Sequence, residues 1–275
     1  MNRLTCGIVF CAVFLWTFNS AVYAADPIGK VVAVLGTPSA SGPGGDRRLV
    51  AESAVFENDK ITVGGSGNAQ VILNDGTKLV VGPLSSLLLD RFVMQGSTGK
   101  AENIGIKALR GTFRFITGKS KKSAYDISTS NATIGIRGTG FDFWVKNNTG
   151  VLVMEGSVNL NNNHSRSVLI RADCEMGRTS TSDARLLTGQ LFGEAVRNNL
   201  PYVLNQKALK PAFRLPIENC RILISNSNGP TGTGSEDGHS GYKIDTGTKR
   251  NNGNTDGNNG DTTGGTDGCT NNPNC

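Results

Sequence analysis

The sequence predicts an all-β fold, a sandwich, barrel or β-solenoid, followed by a short helical segment and a tail without structure. Three observations carry this. Between residues 28 and 171, short apolar runs alternate with Gly, Asn, Asp and Ser punctuation, the pattern of closely spaced strands. Asn74-Asp75-Gly76 separates two such runs, and Asp-Gly supplies the positive φ angles of a type I′ hairpin turn. No helical period interrupts this region before residue 183. A strict repeat is missing too, so an ideal solenoid is not required.

The predicted strands run in order over residues 28–35, 60–63 and 69–73, with 77–81 returning from the hairpin. Residues 87–93, 104–109, 112–117, 125–128 and 132–137 continue the series. Residues 141–146 turn through Asn147-Asn148-Thr149-Gly150 into 151–154, and 157–160 and 168–171 complete it. Side chains alternate along a strand, so Val71 and Leu73 face one way and Gln70 and Ile72 the other. By the same rule Phe113 and Phe115 enter the core and Arg114 points out. Leu186, Leu187, Leu191, Ala195 and Val196 fall near helical spacing, with Asp183 as N-cap and Asn199-Leu200-Pro201 as the stop. This predicts a helical extension over 176–224 that covers an end or edge of the sheet, where an open edge would invite aggregation. From residue 225 the chain is Gly, Asn, Thr, Asp and Ser, with only Tyr242 and Ile244 able to bury much apolar area. Such a segment cannot offset its ordering entropy and is expected to stay disordered.

Arg3, the apolar stretch 4–18 and Val22-Tyr23-Ala24 read as a secretory signal peptide over 1–24, cleaved after Ala24. The apolar part is too short for a membrane span, and no later segment has that length. A periplasmic or secreted β domain over 25–175 is therefore expected. The formal net charge is +6. Its distribution says more than its size. Lys107, Arg110, Arg114, Lys119, Lys121 and Lys122 fall between Asn103 and Tyr125 with no acid among them. That strip is either a solvated strand face or a contact for an anionic partner, such as an acidic protein, an envelope glycan or lipid headgroups. Export excludes nucleic acid.

Cys174, Cys220, Cys269 and Cys275 follow the leader, and an even number in an oxidising compartment favours disulfides. The simplest pairing is Cys174 with Cys220 and Cys269 with Cys275, the other two pairings staying open. Closing the longer loop contributes about 4 kcal/mol in the chain-entropy description. Zinc is disfavoured, because there is no CxxC and histidine is scarce. His164 and His239 lie in polar segments with no third group to hold a catalytic base, so a hydrolase on a β scaffold lacks its machinery. Gly64-Gly65-Ser66-Gly67 precedes no helix start and reads as a turn, not a phosphate cradle. Asn252, Asn254, Asp256 and Gly257 have calcium-loop spacing, but Thr263 stands where a bidentate Glu is needed. No catalytic residue, cofactor or metal is expected.

One stretch is more distinctive: Thr133-Ile134-Gly135-Ile136-Arg137-Gly138-Thr139-Gly140-Phe141. Gly135, Arg137, Gly138, Thr139 and Phe141 read as a tight bend between strands with a held cation. Arg137 is expected to be partly buried, with Asp142 as its nearest partner, while Gly138 and Gly140 admit another backbone. Added to Gly29–Gly36, Arg47-Arg48-Leu49, Asp59-Lys60-Ile61-Thr62, Ala69–Thr77, Gly82-Pro83-Leu84-Ser85, Leu89–Phe92 and Gly111–Lys119, this run resembles a FecR-type domain, the periplasmic module of iron-citrate-type signalling regulators. The resemblance implies a twisted solenoid-like or sandwich-like stack of short strands, and binding and signalling in place of catalysis. In those regulators a cytoplasmic anti-sigma segment and a membrane helix precede the domain. Here the leader takes their place. The resemblance therefore implies a stand-alone exported module that binds a protein or envelope component, or one that acts in trans with a membrane regulator or receptor.

Overall fold

The computed structural model describes residues 25–227. The leader at 1–24, the tail from 228, Cys269 and Cys275, and the calcium-like spacing lie outside the described residues. The chain begins β1 (Pro27–Leu35), β2 (Ser39–Ser41), β3 (Arg47–Arg48), β4 (Ala54–Phe56) and β5 (Lys60–Thr62). It continues β6 (Asn68–Leu73), β7 (Lys78–Val81), β8 (Ser86–Met94) and the long β9 (Ala101–Ile116). After a 3-10 turn at Lys122–Ala124 come β10 (Tyr125–Thr129), β11 (Ala132–Ile136), β12 (Gly140–Val145) and β13 (Thr149–Glu155). The last strands are β14 (Ser157–Asn162), β15 (Ser167–Arg171), β16 (Met176–Thr179) and β17 (Ala184–Leu187). Helices α1 (Gly189–Asn199), α2 (Pro201–Leu204) and α3 (Glu218–Asn226) follow.

The strands form two layers. The first runs β4-β1-β6-β7-β9-β12-β13-β16-β17, all antiparallel. The second runs β3-β2-β5-β8-β9-β10-β11-β14-β15, with β9 and β10 parallel. The chain alternates between layers in single strands and hairpins, and neither layer closes into a barrel. This is the all-β stack of short strands that the sequence predicts, in its sandwich-like form.

One strand belongs to both layers. β9 pairs with β8 up to Arg110 and with β7 and β12 from Gly111 onward. The sequence pattern splits it at Gly111; the structure keeps it continuous and bends it there. Gly111 has φ +106°, and a Cβ would sit 2.1 Å from the Ser85 hydroxyl oxygen. Only glycine fits that corner.

The inner faces meet in one core. Val71, Leu79, Phe113, Phe115, Phe141, Phe143 and Val151 come from the first layer, and Ile61, Leu87, Ile104, Ile106, Ile134 and Leu160 from the second. Phe113 stacks on Phe143 with centroids 4.9 Å apart, and Phe141 lies 5.2 Å from Phe115. Each such burial stabilises by about 1.5–3 kcal/mol. Near one margin, Arg47 pairs with the fully buried Asp59 and lies 5.0 Å over the Phe56 ring.

Several expectations need correction. The Asn74-Asp75-Gly76 turn is not type I′, because only Gly76 has positive φ. Its amide bonds to the Leu73 carbonyl and Leu73 N bonds to the Thr77 carbonyl, as in a three-residue loop with a left-handed last residue. Leu186 and Leu187 lie in β17, not in a helix, and α1 starts at Gly189 after Thr188. The β region thus extends to Leu187. The helical extension does not cover an edge. It lies on the outer face of the first layer, where Val80 packs with Tyr202, Leu209 and Phe213, and Trp144, Leu152 and Met176 pack with Phe192, Val196 and Val203. The Cys174–Cys220 disulfide, with Cα atoms 5.3 Å apart, fastens α3 to the turn before β16.

Candidate functional site

The predicted cationic strip does not exist as one surface. Arg114 must leave it. Antiparallel register puts Arg114 opposite Asp142 on the outer face of the first layer, and the helical extension then buries that face. Arg114 Nε and Nη2 donate to the two Asp142 carboxylate oxygens at 2.6 and 2.8 Å. Nη1 donates to Gln206 Oε1 and to the Phe213 carbonyl at 3.1 Å. Alternation along β9 shows which way Arg114 points but not what covers that face. The guanidinium is a dry bolt between sheet and extension, bidentate and with further acceptors from the extension. Tyr202 lies 5.8 Å from it, and burial pushes the Tyr202 phenol well above its ordinary pKa.

The remaining cations separate. Lys107 projects from the outer face of the second layer and pairs with Asp90 at 2.8 Å. Arg110 sits at the Gly111 corner. Because β9 runs back along the first layer from that corner, Lys119, Lys121 and Lys122 emerge at the opposite end of the sandwich. All three are exposed.

Asp142 is therefore not the partner of Arg137. Arg137 is exposed, on the crossing from β11 to β12, and its amide bonds to the Ser157 carbonyl. The close backbone approach occurs at Gly156, where a Cβ would lie 1.7 Å from the Gly138 carbonyl oxygen. A Cβ on Gly138 would instead meet the end of the Lys122 side chain, 2.9 Å from its Nζ. Thr139 is buried and its carbonyl accepts from Thr117 N at 3.0 Å. The structure thus brings the Gly138 crossing against the lysine loop. Exposed Arg137 to leucine should leave stability within about 0.5 kcal/mol by thermal melting, the usual limit for a surface change.

The loop from 117 to 121 is clamped from beneath by Asp75, a fully buried carboxylate. Asp75 Oδ2 accepts from Ser120 Oγ at 2.7 Å, Thr77 Oγ1 at 2.8 Å and Tyr125 OH at 3.0 Å. Oδ1 accepts from Thr77 N at 2.9 Å, and the Asp75 carbonyl accepts from Lys119 N at 2.9 Å. Gly118 N donates to Tyr125 OH at 2.9 Å, and a Cβ on Gly118 would lie 2.4 Å from Thr77 N. Burial, with the nearby Asp75 charge contributing, raises the Tyr125 pKa. The phenol therefore stays protonated as a donor at neutral pH. Sequence reasoning took Asp75 for a turn residue only. No local signal marks its role, because only strand pairing brings Ser120 and Tyr125 to it.

The arrangement holds three lysines on a rigid loop, beside Arg137, over a satisfied buried carboxylate. It can attract and orient an anionic surface. The Ser120, Thr77 and Tyr125 hydroxyls that meet Asp75 are buried beneath the loop. Among the described residues no group of three His, Cys, Asp or Glu side chains could hold a metal. His164 is exposed in the β14–β15 turn.

Residues 59–159 match the family model described as FecR protein. These residues form a FecR domain. It spans β5 to the first half of β14, and so includes Asp75, Arg114, the lysine loop, Arg137 and Asp142. The helical extension and the disulfide lie outside it. Two crystal structures of a candidate anti-sigma factor from Parabacteroides distasonis ATCC 8503 also match, each at 16% identity, with TM-scores of 0.37 and 0.35. The match covers 46% of this chain and 57% of that one. No curated protein matches. The disulfide belongs to an oxidising compartment. No helix among the described residues is long and apolar enough to cross a membrane.

Proposed function

We propose that this chain is an exported, non-enzymatic signalling component whose FecR domain docks an acidic protein surface on the clamped lysine loop. The supporting observation is the clamp. Lys119, Lys121 and Lys122 stand on a backbone fixed by Asp75, Ser120 and Tyr125, so binding costs little loop ordering. Arg137 sits across the Gly138 contact and extends the same cationic end. The leader expected at 1–24 would deliver the chain to the periplasm or outside, in keeping with its disulfide. The partner is then a membrane regulator or receptor met in trans. We divide the chain into a leader, a β domain with its face-covering helical extension, and a tail.

Exposed interfacial charges act mainly through association rate and salt dependence. Neutralising Lys119, Lys121 and Lys122 to glutamine together should weaken retention on cell-envelope fractions at least about tenfold at low salt. The gap should narrow as ionic strength rises and the Debye length falls below about 8 Å. Retention equal to the unaltered protein at low salt would contradict the proposal.

A further inference from the structure

At the other end of the sandwich the fold builds a second basic site, with a different shape. A cavity of about 410 Å3 opens where the Gly111 corner, the end of β12 and the α1–α2 junction meet. That volume lies within the range of about 300–1,000 Å3 usual for small-molecule sites. Pro83, Leu84, Trp144 and Pro201 supply apolar wall, and Arg110, Lys146 and Arg197 supply cations. Among the described residues no acidic side chain lines it. Leu84 is 67% exposed although it is large and apolar, and its φ of +54° holds it out at this mouth. Thr112, also in the lining, is 8% exposed, and its hydroxyl has no hydrogen-bond partner among the described residues.

These observations fit together. A buried hydroxyl left unpaired costs free energy unless something completes it. Arg110 and Lys146, with no ion pair among the described residues, face the same opening as an exposed apolar wall. The far wall comes from Asn198, Asn199 and Pro201, outside the matched FecR residues, so the extension converts a surface corner into a cavity. We propose that this cavity binds a small amphiphilic carboxylate. Its carboxylate lies against Arg110 and Lys146, and its short aliphatic body lies along Leu84, Pro83 and Pro201. The guanidinium suits a planar carboxylate, which it can grip with two parallel hydrogen bonds. The site is separate from the lysine loop, so a small acid could bind without competing for the partner.

The test is a titration of the full chain with octanoate, read by Trp144 fluorescence and by calorimetry. A saturable signal is expected. In Arg110→Gln with Lys146→Gln the affinity should fall at least about tenfold, the loss of roughly one charge-assisted contact. Both side chains are exposed, so the fold should persist, and an unchanged melting curve checks it. Thr112→Val, which removes an unpaired hydroxyl, should also weaken octanoate binding while leaving stability equal or higher. Acetate and octanol, each carrying half of the chemistry, should bind far more weakly than octanoate. Equal affinity in the Arg110 and Lys146 variant, acetate or octanol as strong as octanoate, or no saturable signal would each overturn the proposal.

Discussion

Arg114→Met should destabilise the protein by about 3–5 kcal/mol, measured by denaturant unfolding, because it leaves Asp142 as a buried, uncompensated carboxylate. Asp142 is 1% exposed, and both its oxygens are taken by Arg114. Gln206 and the Phe213 carbonyl lose a donor at the same stroke. The damage should be directional. The extension is held to the sheet at this point, so limited proteolysis should cut beyond Leu187 before it cuts the sandwich. Arg114→Met combined with Asp142→Leu removes both charges and should return most of the loss, since a buried pair often does no better than apolar side chains of similar size. A single variant that loses less than about 1 kcal/mol would show that Arg114 is not the bolt.

Asp75→Asn should cost about 2–4 kcal/mol, because an amide presents two donors where the site supplies only donors. Ser120, Thr77 and Tyr125 all point hydrogens at one carboxylate oxygen. At most one amide orientation keeps any of these contacts. The lysine loop then loses its floor, and hydrogen exchange at Gly118 and Lys119 should rise. Partner retention should fall although every lysine is intact, which separates a rigid site from a mere count of charges. The Tyr125 phenol gives a second readout. Its raised pKa means that the folded chain holds this proton more tightly than the unfolded chain. That stabilisation is whole below about pH 10, the ordinary tyrosine value, and is lost as pH rises through the folded value. Removing the Asp75 charge should lower the pH at which Tyr125 ionises. Unchanged exchange at Gly118 and Lys119 would contradict the clamp.

The layers of this fold were legible because alternation is a local signal. Val71 and Leu73, or Phe113 and Phe115, announce a buried face without reference to any partner strand. Short strands were not legible where a single inward residue carries them: Ala40 in β2 and Val55 in β4 are such cases. Leu186 and Leu187 look helical because two adjacent apolar residues fit either period, and only pairing with Gly177 and Met176 makes them strand. The site depends wholly on distant pairing. Arg114 reads as solvent-facing until residues more than 80 positions later cover it. Asp142 reads as the partner of Arg137 because it stands five positions on, whereas strand register gives it to Arg114. Asp75, Ser120 and Tyr125 carry no common local pattern at all. Parity and compartment favour disulfides, but they do not choose among the three pairings; the fold brings Cys174 to Cys220.

The claim that the lysine loop is the docking end is tested most directly by site-specific photo-crosslinking in cells that export the protein. A photoreactive residue at Ser123, exposed beside the three lysines, is compared with one at Ser39, exposed on β2. The account predicts a protein adduct from position 123 that fades at high salt, and none from position 39. An adduct from position 39 alone, equal adducts from both, or none from position 123 would contradict it.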